Sequence, residues 1–241
     1  MNNSNFSSSS ANAKPDISAI VPVYNEAGKV GRVLDVLRKV DCFTEIIVVN
    51  DGSTDSTLDE LNNAVRSDPR LKLLTHPVNQ GKGQAIFTGW QATNSMSLLF
   101  LDSDLFGLQP QHVKDLMQPV IEDQADMSIG QFCNGNWSMD LSQRFTPWLS
   151  GQRCLRSELL SQISAKAAEG YGIETALTVA AGQFNWRCVR VPLSGVWHLP
   201  GEARRGLWLG LKTRARMYKQ IVSAWYLAGG AHHFGLRTRV R

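Results

Sequence analysis

Asp102-Ser103-Asp104 places two carboxylates two residues apart, directly after the apolar run Ser97-Leu-Leu-Phe-Leu101. Carboxylates set this way can face one hard cation together with diphosphate oxygens. The pattern is short and common, and a solvated acidic turn is spelled the same way, so its place at a strand end carries the argument. A second polar loop, Val49-Asn-Asp-Gly-Ser-Thr-Asp55, also follows an apolar run. Asp51 there can accept hydrogen bonds from a base or ribose, and Gly52 allows backbone to come close. The same residues also suit a turn that caps the next helix, with Asp55 at its positive end. Asn79-Gln-Gly-Lys-Gly-Gln84 frames Lys82 with glycines at a helix start, a setting suited to phosphate. It lacks the Walker spacing G-x-x-x-x-G-K-[ST], so no P-loop is implied.

These loops need a scaffold that brings them together, and the apolar periodicity supplies one. Short continuous apolar runs at Ile17–Val23, Glu45–Asn50, Leu71–Leu74, Ser97–Leu101 and Asp126–Ile129 read as buried strands. Between them, helical spacing marks residues 26–40, a helix through Leu58, Leu61, Ala64 and Val65 with Ser53 or Thr54 as cap, and helices at 82–94 and 110–122. Strand and helix alternating, with the strands apolar throughout, predicts a mostly parallel sheet covered on both faces. Ligands of such sheets bind beyond the carboxyl ends of the strands. The loops Tyr24-Asn25-Glu26, Asp51-Gly52-Ser53 and Asp102-Ser103-Asp104 are therefore expected to share one cleft. The second half is less regular: a loop over 131–148, a helix around Arg153–Ile163, a turn at Gly170-Tyr171-Gly172, a helix over Glu174–Ala181, a strand over Asn185–Val191 and a last helix near 203–228.

Four motifs stand in order: Ile20-Val-Pro-Val-Tyr-Asn-Glu26, Val48-Val-Asn-Asp-Gly-Ser-Thr-Asp55, Asn79-Gln-Gly-Lys-Gly83 and Leu101-Asp-Ser-Asp104. In content and spacing they resemble glycosyltransferase family 2, most strongly over residues 16–130. The resemblance implies a GT-A fold, a nucleoside-diphosphate sugar donor and Mg2+ or Mn2+. It puts Pro22, Tyr24, Glu26 and Asp51 along the nucleoside, Lys82 near it or the diphosphate, and Asp102 and Asp104 on ribose, diphosphate and metal. Further on, Leu149-Ser-Gly-Gln-Arg153, Gly170-Tyr-Gly-Ile-Glu174 and Val196-Trp-His198 resemble the acceptor half of dolichyl-phosphate-mannose-synthase-like and glucosyl-3-phosphoglycerate-synthase-like enzymes. By that resemblance Gln152 and Arg153 lie beside the acceptor, Glu174 sits at the reacting centre, and His198 completes the metal shell. Taken alone, Glu174 also fits as compensation of a helix dipole, and His198 as a satisfied core histidine.

The expected organisation is a disordered tail over 1–15, a nucleotide-sugar-binding half over 16–130, an acceptor half of the same domain over 131–202, and a basic aromatic helix and tail over 203–241. The 241 residues carry a net charge of +4, concentrated at the end: nine Lys or Arg and no Asp or Glu fall between Arg204 and Arg241. With Trp208, Trp225 and Tyr226 interleaved, that stretch reads either as a helix packed on the domain or as one lying on an anionic membrane surface. Cys42, Cys133, Cys154 and Cys188 have neither metal spacing nor a disulfide pattern, which fits a reducing cytoplasm. The expected activity is sugar transfer from UDP or GDP to a phosphate-bearing acceptor, with polyprenyl phosphate at the inner face of the plasma membrane ahead of a small soluble phosphate or a glycan. A non-catalytic sugar-nucleotide sensor and a sugar nucleotidyltransferase are the rival readings. The intact carboxylate pair speaks against the first, and Pro-Val-Tyr-Asn-Glu in place of a Gly-rich first loop against the second. No nucleic-acid-binding motif is present, and no nucleic-acid partner is expected.

Overall fold

The structure, a computed structural model, describes residues 15–133, 150–164 and 172–198. The N-terminal tail before residue 15, most of the 131–148 loop, Gly170-Tyr171 and the 203–241 region lie outside the described residues.

The chain runs β1 (Ile17–Val23), α1 (Val30–Arg38), β2 (Glu45–Asn50), α2 (Thr57–Val65), β3 (Leu71–Thr75), α3 (Lys82–Gln91), β4 (Ser97–Phe100), α4 (Pro110–Ile121) and β5 (Met127–Cys133). Then follow β6 (Arg153–Arg156), a 3₁₀ turn (Ser157–Gln162), α5 (Gly172–Gln183) and β7 (Cys188–Ser194). One seven-stranded sheet, in the order β3-β2-β1-β4-β6-β5-β7, takes strands from both halves of the sequence. Strands β1 to β4 pair parallel, as do β5 and β7. β6 is inserted antiparallel between β4 and β5.

Alternation along β1 explains the layering. Ile17, Ala19, Val21 and Val23 enter a core with Val30, Val33, Leu34 and Leu37 of α1, Leu61 of α2, and Val113, Leu116 and Met117 of α4. Ile20 faces the other way, with Ile47, Val49, Leu98 and Phe100, against Ala85, Ile86 and Phe87 of α3 and Ile173, Ala176 and Leu177 of α5. Each fully buried aliphatic or aromatic side chain contributes about 1.5–3 kcal/mol, so both faces of the sheet are firmly covered and the strand ends are held in place.

Two expectations are corrected. Residues 153–163 are not one helix: Leu155, Leu159 and Ile163 have helical spacing, but Arg153–Arg156 form β6, Ser157–Gln162 a short 3₁₀ helix, and Ile163 is extended. The pairing of Leu98 with Leu155 and Phe100 with Arg153 supplies the buried partners that a helix would have lacked. Neither Ser53 nor Thr54 caps α2. Asp55 accepts from Thr57 N at 3.0 Å, while Ser53 Oγ accepts from Asn25 N at 3.0 Å, tying the loops after β2 and β1 together.

Candidate functional site

Strand order reverses about β1: β2 and β3 lie on one side of it, β4 on the other. The crevice of an open α/β sheet opens at such a switch, beyond the carboxyl ends of the strands. Tyr24-Asn25-Glu26 follows β1, and Asp102-Ser103-Asp104 follows β4 on its neighbour. Tyr24 is exposed, Pro22 half-buried in β1, and Glu26 buried with Lys29 Nζ 3.0 Å from its Oε2.

The loop after β2 is held from within. Asp51 is buried; its Oδ1 accepts from Gln80 N at 2.8 Å and meets His76 Nδ1 at 2.7 Å, while its Oδ2 accepts from Gly81 N at 2.8 Å. His76 Nε2 lies 2.9 Å from Thr88 Oγ1 of α3. Asp51 thus clamps the 79–81 loop to the end of β2 and sets the start of α3, where Lys82 stands. His76 belongs to no motif, and nothing local in the sequence marks it.

Lys82 joins the two halves. Its ammonium donates to Asp102 Oδ1 at 2.5 Å and lies 2.6 Å from Glu174 Oε1, at the start of α5. Gln152 Nε2 donates to Asp102 Oδ2 at 2.7 Å. Gly151 is what lets these groups converge. A Cβ there would fall 2.5 Å from Lys82 Nζ and 2.7 Å from each Asp102 oxygen. Burial works against the Lys82 charge, but Asp102 and Glu174 more than offset it and hold the ammonium well above the usual lysine range. Burial likewise opposes ionisation of Asp102, yet Lys82, Gln152 and the nearby His198 keep its carboxyl below the usual range. Glu174 is 5% exposed, and its Oε2 is buried with no hydrogen-bond partner.

Arg153 lies under the site rather than on it. Its side chain is fully buried; Nε donates to Ser150 O at 2.9 Å and a terminal nitrogen to Thr178 Oγ1 at 3.1 Å. Thr178 Oγ1 in turn donates to Glu174 O at 2.8 Å. Burial pulls the guanidinium pKa down to about 10, with Glu174 acting in the opposite sense. The arginine braces the Ser150-Gly151-Gln152 loop against α5, and a contact from its guanidinium to an acceptor is not what this placement provides.

His198 reaches the same region from the end of β7. Phe106 and Trp197 exchange two backbone hydrogen bonds, 2.8 and 3.0 Å, and their rings stack at 4.3 Å with Arg32 over Phe106 at 4.1 Å. That clasp fastens the His198 loop to the turn containing Asp102 and Asp104. His198 packs edge-on against Phe132, and its Nδ1 is buried with no hydrogen-bond partner. An orphaned imidazole nitrogen close enough to influence the Asp102 carboxylate has the chemistry of a donor to a divalent cation. Among the described residues, however, no three His, Cys, Asp or Glu side chains are drawn together into a cage. Asp102 has Lys82 as its cation instead.

A three-layer α/β/α sheet with an acidic loop past β4 and an irregular second half closing on the same cleft is the GT-A architecture. The chain belongs to glycosyltransferase family 2: the sequence model for "Glycosyl transferase family 2" matches residues 18–173. Over 97 residues the chain is 38% identical to a dolichyl-phosphate beta-glucosyltransferase of Trichomonas vaginalis, covering 36% of this chain and 30% of that protein. Over 213 residues it is 27% identical to the undecaprenyl-phosphate mannosyltransferase of Micrococcus luteus, covering 78% of this chain and 86% of that one. Of the first two curated relatives it matches, the chain spans only 30% and 37% of the length. The fold is shared with glucosyl-3-phosphoglycerate synthase of Mycobacterium tuberculosis in complex with Mn2+, UDP-glucose and phosphoglyceric acid. That match has a TM-score of 0.72 at 24% identity, over 92% of this chain and 82% of that one. The same enzyme with Mg2+ and UDP gives a TM-score of 0.71.

Proposed function

We propose that this protein transfers a glycosyl unit from a UDP- or GDP-sugar to a phosphate-bearing acceptor, with polyprenyl phosphate as that acceptor and Mg2+ or Mn2+ as cofactor. The observation that carries the reading is the contact of Lys82 with both Asp102 and Glu174, which puts a donor-half carboxylate and a second-half carboxylate on one cation. An undecaprenyl-phosphate mannosyltransferase aligns over 78% of this chain and 86% of its own length, against 70% and 61% for a glucosyl-3-phosphoglycerate synthase at the same identity, and the fuller alignment favours the lipid phosphate over a soluble one.

In this reading Asp102, Asp104 and His198 hold the cation, which when bound supplies positive charge to the departing diphosphate. Pro22, Tyr24 and Glu26 line the nucleoside, and Asp51 serves it by fixing the 79–81 loop. Lys82 adds charge to the diphosphate. A phosphate acceptor is already an anionic nucleophile and needs no strong base, so Glu174 orients it, with Gln152 beside it and Arg153 bracing both from below. An acceptor hydroxyl would instead require Glu174 as general base. A panel of nucleotide sugars, with polyprenyl phosphate or phosphoglycerate and with or without chelator, tests the proposal. Turnover that needs neither metal nor a phosphate acceptor would overturn it.

Replacing His198 by Ala is expected to raise the Mn2+ concentration for half-maximal activity by roughly tenfold or more, in line with losses at metal-site residues, and to leave the melting temperature nearly unchanged. A fall in melting temperature with an unaltered metal requirement would make it a core histidine.

No helix among the described residues is long and apolar enough to cross a membrane. In this reading a lipid acceptor is met at the bilayer surface, on the cytoplasmic face, and the basic aromatic sequence after Arg204 is the segment equipped for it. Each Lys or Arg near an anionic leaflet contributes about 1 kcal/mol, weakened by salt. The protein should co-sediment with anionic liposomes at low salt and be released at high salt. Replacing Arg214, Arg216, Arg237 and Arg239 by Gln should abolish this. Indifference of the wild type to such liposomes, together with full-rate transfer to a soluble phosphorylated acceptor, would remove the lipid.

A further inference from the structure

Lys82 touches two carboxylates that the proposed reaction uses separately. Its Nζ is 2.5 Å from Asp102 Oδ1 and 2.6 Å from Glu174 Oε1, and Gln152 occupies the other Asp102 oxygen. Space around the contact is tight, since even a methyl group on Gly151 would fall on both the ammonium and the carboxylate. Two cations on one carboxylate repel each other, and with both side chains of the Lys82–Asp102 pair 23% exposed, water screens that repulsion only in part. A divalent ion ligated by Asp102 and the ammonium of Lys82 in its present position therefore compete for the same negative charge.

We propose that Lys82 is a built-in counter-cation: in the metal-free enzyme it holds Asp102 and Glu174 together, and metal with diphosphate must draw it away before the site can work. The inference rests on the metal-dependent reading above. The lysine is suited to the exchange. Its four-carbon stem is flexible and its ammonium is a point charge without a preferred orientation. It stands at the first residue of α3, where the helix N-terminus also favours phosphate, so a departing ammonium has an anionic destination nearby. Glu174 Oε2 is already without a hydrogen-bond partner, so losing Lys82 leaves both oxygens of this buried carboxylate unpaired.

The test is Mn2+ binding to the full chain, followed by the electron paramagnetic resonance of the free ion, with and without UDP. Lys82→Met should bind Mn2+ alone about tenfold or more tighter than wild type, corresponding to about 1.4 kcal/mol. With UDP present that advantage should vanish or reverse, because the wild-type ammonium then assists the diphosphate. Lys82→Gln keeps a hydrogen-bond donor without the charge and should show the same reversal; it stands in if the Met variant fails to fold by circular dichroism. Unchanged or weaker Mn2+ binding by both variants without UDP, while the wild type binds Mn2+ with UDP, overturns the counter-cation. Absence of Mn2+ binding by the wild type under both conditions overturns the metal-dependent reading itself, and this proposal with it.

Discussion

Asp102→Asn is expected to lower turnover by ~10² or more, the scale on which loss of one preorganised charge partner slows a reaction that develops negative charge. The side chain stands two residues past β4, where its carboxylate is engaged by Lys82 and Gln152 and influenced by His198. Asparagine has the same shape and keeps one oxygen for Lys82, but it cannot supply the negative charge that a metal-diphosphate complex requires. The fold should tolerate the change. Asp102 is on a loop, Lys82 retains Glu174 as counter-ion, and the core layers on either face of the sheet are untouched. Circular dichroism and a melting temperature within about 3 °C of wild type, a shift worth roughly 1 kcal/mol in a chain of this size, would accompany the loss. Full turnover by this variant, or undiminished wild-type turnover in excess chelator, would end the metal-dependent mechanism.

The parallel half of the fold was legible because its signals are local. Ile17–Val23, Glu45–Asn50 and Ser97–Phe100 are continuous apolar runs, as strands buried on both faces must be, and the helices between them show their apolar stripes within one or two turns. β6 was not legible. Its reason for being a strand is its two neighbours, β4 and β5, which lie far off in sequence, while Leu155, Leu159 and Ile163 mimic a helical stripe nearby. A fully buried arginine within it is equally foreign to local pattern, because Thr178 Oγ1 becomes its partner only once α5 has packed.

The candidate site divides the same way. Asp102, Lys82 and the loop after β1 could be singled out because strand ends and glycine-framed turns are visible in sequence. What those residues touch could not. Asp51 was expected to face a nucleoside, and in the structure its carboxylate is committed to Gln80 N, Gly81 N and His76. A short acidic strand-end motif does not distinguish an acceptor of ligand hydrogen bonds from an acceptor of backbone ones. The meeting of Lys82 with Glu174, 92 positions apart by their numbering, depends on the antiparallel insertion of β6, which presents the Gly151-Gln152 loop to Asp102 and leaves α5 to pack beside α3.

Gly52→Ala should be strongly destabilising, and it should damage donor binding through the backbone. Gly52 has φ +68°, a region that costs a residue with a Cβ roughly 1–2 kcal/mol. Its added Cβ would fall 2.4 Å from Val78 C and 2.5 Å from Asn79 N, so the collision is with backbone and no side chain can rotate aside. Forced repacking of that kind costs a further 1–3 kcal/mol or so. The sum, about 2–5 kcal/mol, predicts a fall in melting temperature of roughly 5–15 °C for a domain of this size. Relief can come only by moving residues 78 and 79 outward, and Gln80 N and Gly81 N, which Asp51 holds, would move with them. Lys82 would then be carried away from Asp102, and the donor KM should rise along with the loss of stability. Gly28→Ala is the matched control. It has a similar φ of +73° with nothing within 4 Å of the added methyl, so it should lose only the conformational part, about 1–2 kcal/mol, and keep its donor KM. Equal melting temperatures for the two variants would show that the contact of Gly52 with the 78–79 backbone contributes nothing. A Gly52→Ala protein that melts early yet binds donor normally would separate the Asp51 clamp from the donor site.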